Sequence, residues 1–142
     1  MKFKLIVQIV LTFLVFTVMT ISIPAKDEKG KSYVKVIYFH GEQRCQTCLT
    51  IEELTKQAVE GNFSNELKTG KIVLNIVNYD EEKNKHYMDD YKLYNQALII
   101  TKVVDGKQKK WKDLPKIWEY SGDNNKFFSY VKNEVKKYIT AK

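Results

Sequence analysis

The stretch His40-Gly41-Glu42-Gln43-Arg44-Cys45-Gln46-Thr47-Cys48 holds the chain's only two cysteines, two residues apart. Before it runs Tyr33-Val34-Lys35-Val36-Ile37-Tyr38-Phe39, a near-continuous apolar segment of strand length. Such a run suits a strand covered on both faces, and Gly41 breaks it. After it the apolar spacing changes to three and four, through Cys48, Ile51, Leu54 or Thr55, and Ala58-Val59. That is the period of an amphipathic helix, ending near Gly61-Asn62. A strand that feeds a Cys-x-x-Cys at the mouth of a helix is the layout of a dithiol redox site.

The downstream chain supplies the remaining elements. Phe63 to Thr69 is a connection with room for a helical turn, and Lys71 to Tyr79 forms a second strand. Asp80 to Lys85 is a charged loop. A short helix over His86–Tyr94 is expected to place Tyr87, Met88, Tyr91 and Tyr94 in the core. Ala97 to Val104 is a third strand, and Asp105-Gly106 a hairpin turn into a basic strand, Gln108 to Lys112. Leu114-Pro115 opens a short helical piece with Ile117 and Trp118, since proline suits a first turn. Gly122-Asp123-Asn124 recaps the chain for a last helix. That helix buries Phe127 or Phe128, Val131, Val135 and Tyr138-Ile139, and turns Lys132, Asn133, Glu134, Lys136 and Lys137 outward. Strands joined through helices are expected to run parallel, and the hairpin adds an antiparallel pair. The expected fold is α/β: a thioredoxin-like three-layer α/β/α arrangement with a central mixed β-sheet, over residues 33–142.

The chain has 142 residues, 44% of them hydrophobic, enough for one domain with a core of its own. Two cysteines cannot make a disulfide framework. The formal charge of +7 is spread among acidic residues, so no basic face marks a nucleic-acid partner. Lys2 and Lys4 precede a run from Leu5 to Ile23 without a charge, then Pro24-Ala25. Residues 1–25 read as an export signal or an uncleaved N-terminal membrane anchor, and 26–32 as a solvated linker. Either reading puts the globular part outside the cytoplasm, periplasmic or membrane-anchored and facing outward, because positive charge holds the short N-terminus inside.

Cys45 at a helix N-terminus is the expected nucleophile, helped by unpaired amides, the helix dipole and Arg44. Cys48, one turn on and more buried, is the expected resolving thiol, with Thr47 as a donor to sulfur. The pair and its surroundings admit other uses. A structural disulfide closing so short a loop constrains the unfolded chain little. Zinc lacks ligands, since His40 and His86 come without a second cysteine pair. Soft thiolates can capture a soft metalloid. His40 reads as a strand-end histidine bonded locally, with proton shuttling as the alternative. Glu52 and Glu53 read as a solvated helix face, with a buried base under the dithiol as the alternative. Lys107, Lys109, Lys110 and Lys112 read as protection of an exposed edge strand, with binding of an acidic partner as the alternative. Trp111 and Trp118 read as core or hairpin packing, with a docking surface as the alternative.

Tyr38-Phe39-His40, then Arg44-Cys45-Gln46-Thr47-Cys48 with Ile51-Glu52, resembles the nitrophenyl compound nitroreductase subunit ArsF family of thioredoxin-like proteins. Gly70-Lys71-Ile72, Val77-Asn78 and Leu114-Pro115-Lys116-Ile117-Trp118 resemble it too, so the likeness covers about residues 33 to 139. The resemblance implies thiol–disulfide exchange with a redox partner protein or disulfide substrate, and a link to a partner nitroreductase and to arsenic. The rival it implies is a non-catalytic accessory subunit that uses the dithiol to bind arsenite or dock on that partner. No flavin or nicotinamide signature is present, so no cofactor is assigned. Ordinary thioredoxins carry Trp-Cys-Gly-Pro-Cys and a cis-proline facing the dithiol; here Arg44 and Gln46-Thr47 stand in the first, and Gln96-Ala97 in the second.

Overall fold

The computed structural model describes residues 30–141. The leader expected over 1–25, and most of the linker, lie outside them. The chain runs β1 (Ser32–His40), α1 (Gln46–Asn62), α2 (Ser64–Lys68), β2 (Ile72–Asn78), a 3-10 turn (Glu82–Asn84), α3 (His86–Asp90), β3 (Ala97–Val104), β4 (Lys107–Asp113), α4 (Ile117–Tyr120) and α5 (Asn124–Thr140). Ser32, assigned to the linker by sequence, already belongs to β1 and pairs with Val104.

The four strands form one mixed sheet in the order β2-β1-β3-β4. β1 pairs parallel with β2, from Val34 beside Ile72 to His40 beside Asn78. It pairs antiparallel with β3, where Phe39 lies beside Ala97. β4 closes the far edge antiparallel to β3. Asp105 and Gly106 both have positive φ, as a two-residue primed turn requires.

The expectation that every helix-joined strand runs parallel fails at β3. The connection is held at one end of the sheet: the Tyr79 amide donates to the His40 carbonyl, and the Asn84 side-chain amide donates to the Asn78 carbonyl. The chain leaves β2 at Asn78, crosses the end of β1, and enters β3 at Ala97 from that same end.

Alternation along β1 divides the core. Val34, Val36 and Tyr38, with Leu98 and Ile100, face Ile51, Leu54, Ala58 and Val59 of α1 and Phe127, Val131 and Val135 of α5. Ile37, Phe39, Ala97 and Ile99 face the other way, under Tyr91 and Leu93, with Tyr87 and Met88 half-buried beside them. Helices thus cover both faces of the sheet. α3 stops at Asp90 rather than running to Tyr94. Lys92 takes a positive φ, which ends the helical path; Leu93 turns inward and Tyr94 is left 92% exposed. The tyrosine stripe is core as expected except at that last position.

Glu134 also departs from expectation. It is 7% exposed and accepts Lys137 Nζ at 2.7 Å and Lys112 Nζ at 2.9 Å, tying α5 to the edge strand β4. Burial pushes its carboxyl up, but the hydrogen bonds from Lys137 and Lys112 outweigh burial and hold it below the ordinary value of 4.5. A folded value below the unfolded one gives stability that is full above about pH 4.5 and fades as pH falls through the folded value. Glu134→Gln should therefore lower stability at neutral pH, by at most about 1 kcal/mol because the lysines are partly exposed. The difference from wild type should shrink as urea melts are repeated down to pH 3. A constant difference across that range would contradict the ion-pair account.

Candidate functional site: an oxidised dithiol at the head of α1

β1 delivers the chain to one end of the sheet, and the loop after it is pinned. Asp80, just past β2, accepts the Glu42 amide at 2.7 Å. His40 Nδ1 lies 2.9 Å from the Gly41 carbonyl oxygen, so His40 is a locally bonded strand-end residue, as expected. Gly41 is required by close approach. A Cβ there would come within 2.8 Å of Asp80 Oδ2 and 3.1 Å of the Tyr79 hydroxyl. Gly41→Ala should push away the carboxylate that holds the Glu42 amide, costing about 1 kcal/mol. The readout is a lower urea midpoint at unchanged slope; an unchanged midpoint would show that Asp80 yields freely.

Cys45 is the N-cap of α1, extended in backbone, and its Sγ accepts the Cys48 amide at 3.0 Å. That contact comes from the helix backbone, where sequence had suggested Thr47. Cys45 and Cys48 are joined as a disulfide, with Cα atoms 5.0 Å apart. Cys45 is exposed, whereas Cys48 is only 3% exposed, on the buried stripe of α1.

Beneath the pair, the Tyr38 hydroxyl donates to the Cys48 carbonyl oxygen at 2.9 Å, linking β1 to the first turn of α1. Burial pushes that hydroxyl up to about 12, with the Arg44 guanidinium pulling the other way. Tyr38 therefore stays a donor at any working pH.

Glu52 corrects the sequence reading. It was expected on a solvated face with Glu53, but only Glu53 is exposed. Glu52 lies four residues after Cys48 and so shares its buried stripe. It forms ion pairs with Arg44 and with Lys56, the latter at 2.6 Å.

A cleft of about 420 Å³ opens over the sulfurs, lined by Gln43, Arg44, Cys45, Cys48, Gln96 and Trp118. Trp118 packs against the core, as expected, and also forms a wall of this cleft. Gln96 Nε2 donates to the Gln43 carbonyl at 3.4 Å across the cleft. No cis peptide bond occurs among the described residues.

The exposed member of a cystine at a helix N-terminus, the strand order β2-β1-β3-β4 and the strand directions decide the fold. The fold is thioredoxin-like. Among solved structures the chain is similar to a thioredoxin of Fasciola hepatica, at 13% identity over 78% of this chain and 84% of that one, with TM-score 0.44. It is similar also to thioredoxin O2 from Arabidopsis thaliana in oxidized state, at 11% identity over 68% and 76%, with TM-score 0.39. A malarial protein aligns at 18% identity over 68% of this chain and 94% of that one, with TM-score 0.41. No protein-family model matches the chain, and no curated protein does. The assignment stands on the topology and the place of the cysteines in it. Among the described residues, no group of three or more His, Cys, Asp or Glu side chains is placed to hold a metal ion.

Proposed function

We propose that the chain is an exported thiol–disulfide oxidoreductase acting through Cys45 and Cys48. The observation that carries this reading is the asymmetry of the cystine. One sulfur is reachable at the head of a 17-residue helix, and the other is shielded one turn below it. In the reducing direction, the Cys45 thiolate attacks one sulfur of a substrate disulfide. The substrate S–S bond breaks, its departing sulfur takes a proton, and Cys45 is left in a mixed disulfide. Cys48 then loses its proton and attacks Cys45 Sγ, which releases the second substrate thiol and restores the cystine. Two electrons pass from the dithiol to the substrate, whose two departing thiols take up one proton from Cys48 and one from solvent. The helix amides and dipole favour the attacking thiolate.

The charge-free run from Leu5 to Ile23 behind Lys2 and Lys4 supports export. The resemblance to the ArsF family supports service to a partner nitroreductase. The test is reduction of insulin disulfides by dithiothreitol in the presence of the purified protein. Catalysed turnover that disappears in Cys45→Ser is expected. A protein that binds arsenite through its reduced thiols yet leaves insulin untouched would contradict the proposal and favour a non-catalytic accessory role.

A further inference from the structure

Arg44, the residue before Cys45, lines the same cleft as both sulfurs, yet its guanidinium is paired with Glu52 rather than with sulfur. Glu52 is 9% exposed, so its charge is held among buried groups and depends on the cations beside it. Arg44 Nε is buried and donates to no protein acceptor. A donor is thus left over on a side chain that lines the same cleft as the sulfur that becomes an anion on reduction. Three polar groups on β1 and the loop after β2 have partners of their own. The Tyr38 hydroxyl donates to the Cys48 carbonyl, Asp80 accepts the Glu42 amide, and His40 contacts Gly41.

We propose that Glu52 is a positioning residue that sets the reduction potential of the Cys45–Cys48 couple by competing with the Cys45 thiolate for Arg44. The inference rests on the thiol–disulfide reading above. In the oxidised pair sulfur is neutral, and Arg44 gains most by staying on Glu52. Two electrons and one proton convert the cystine into a Cys45 thiolate and a Cys48 thiol. Two anions then share one guanidinium. Each increment of attraction between Arg44 and Glu52 is withheld from the thiolate, and this disfavours the reduced state. Glu52 keeps the dithiol more reducing than a helix N-terminus beside a free arginine would be.

The signs follow from charge. Glu52→Gln frees Arg44, so the equilibrium with reduced and oxidised dithiothreitol should move roughly tenfold toward the reduced protein, about 30 mV less negative. The pH profile of Cys45 alkylation should move to lower pH with it. Arg44→Met should move both the opposite way by a similar factor. The double variant should return to within about threefold of wild type, because it removes one charge of each sign. A merely structural pair would shift both single variants in one direction, or move neither beyond about twofold while both stay folded; either result overturns the proposal. Should the E52Q chain fail to fold, Lys56→Met carries the test. It removes the second cation from Glu52, tightens the hold on Arg44, and should shift the couple toward oxidised protein; no shift would overturn the proposal. A folded wild-type cystine that does not exchange with dithiothreitol at all would overturn both this inference and the oxidoreductase reading. Normal exchange without the opposed shifts would overturn this inference alone.

Discussion

Cys48→Ser should accumulate a stable mixed disulfide with a substrate protein, and Cys45→Ser should accumulate none. The expectation follows from burial. A substrate sulfur can reach Cys45 at the rim of the cleft, but Cys48 is shielded beneath the first turn of α1. Without Cys48 the first exchange still occurs, and the resolving attack has no nucleophile. Without Cys45 neither step has a starting point, and turnover should fall by a factor on the order of a thousand or more, since the thiolate is the attacking species. Trapping is read on a non-reducing gel after acid quench, with a disulfide-bearing protein in excess. Equal trapping by the two variants would reverse or dissolve the division of roles between the cysteines.

Phe127→Ala should be the most damaging substitution outside the dithiol. Phe127 is fully buried at the start of α5, in the cluster that includes Ile51 and Leu54 on α1. Removing a fully buried phenyl ring costs about 3–5 kcal/mol, because the cavity closes only in part. A domain of this size is stable by about 5–15 kcal/mol, so the loss is a large share of the whole. The melting temperature should fall on the order of 15 °C. The layer that would loosen is the one on which the dithiol helix rests. Activity per folded molecule should survive at low temperature, because no reacting group is touched. A loss under about 1 kcal/mol would mean that α5 does not anchor α1 in this way.

The fold was legible where period and punctuation agreed. The run Tyr33–Phe39, the change to helical spacing after Cys45, the Asp105-Gly106 turn and the apolar face of α5 each occur where read. The direction of β3 was not legible from order alone. It depends on hydrogen bonds that hold the connection after β2 at one end of the sheet, and Lys92 ends the helical path in a way that ordinary propensity does not signal. Buried charge was the other blind spot. Glu52 and Glu134 each have cations within reach in space, and those partners let carboxylates sit where apolar side chains normally would. For Glu52 a signal was present: position 52 is four residues past Cys48, on the stripe that the cysteine marks as buried. Trp118 carried no such signal, because its place in the cleft with the two cysteines brings together residues far apart in the chain.

The central claim is that Cys45 and Cys48 interconvert between cystine and dithiol in the folded protein. The direct measurement is the fraction oxidised at equilibrium across graded ratios of reduced to oxidised dithiothreitol, read by thiol alkylation and mass, with circular dichroism recorded alongside. One two-electron transition, the same from either direction and without loss of fold, is the predicted result. A cystine that stays intact at every ratio, or opens only as the protein unfolds, would make it a structural staple and contradict the account.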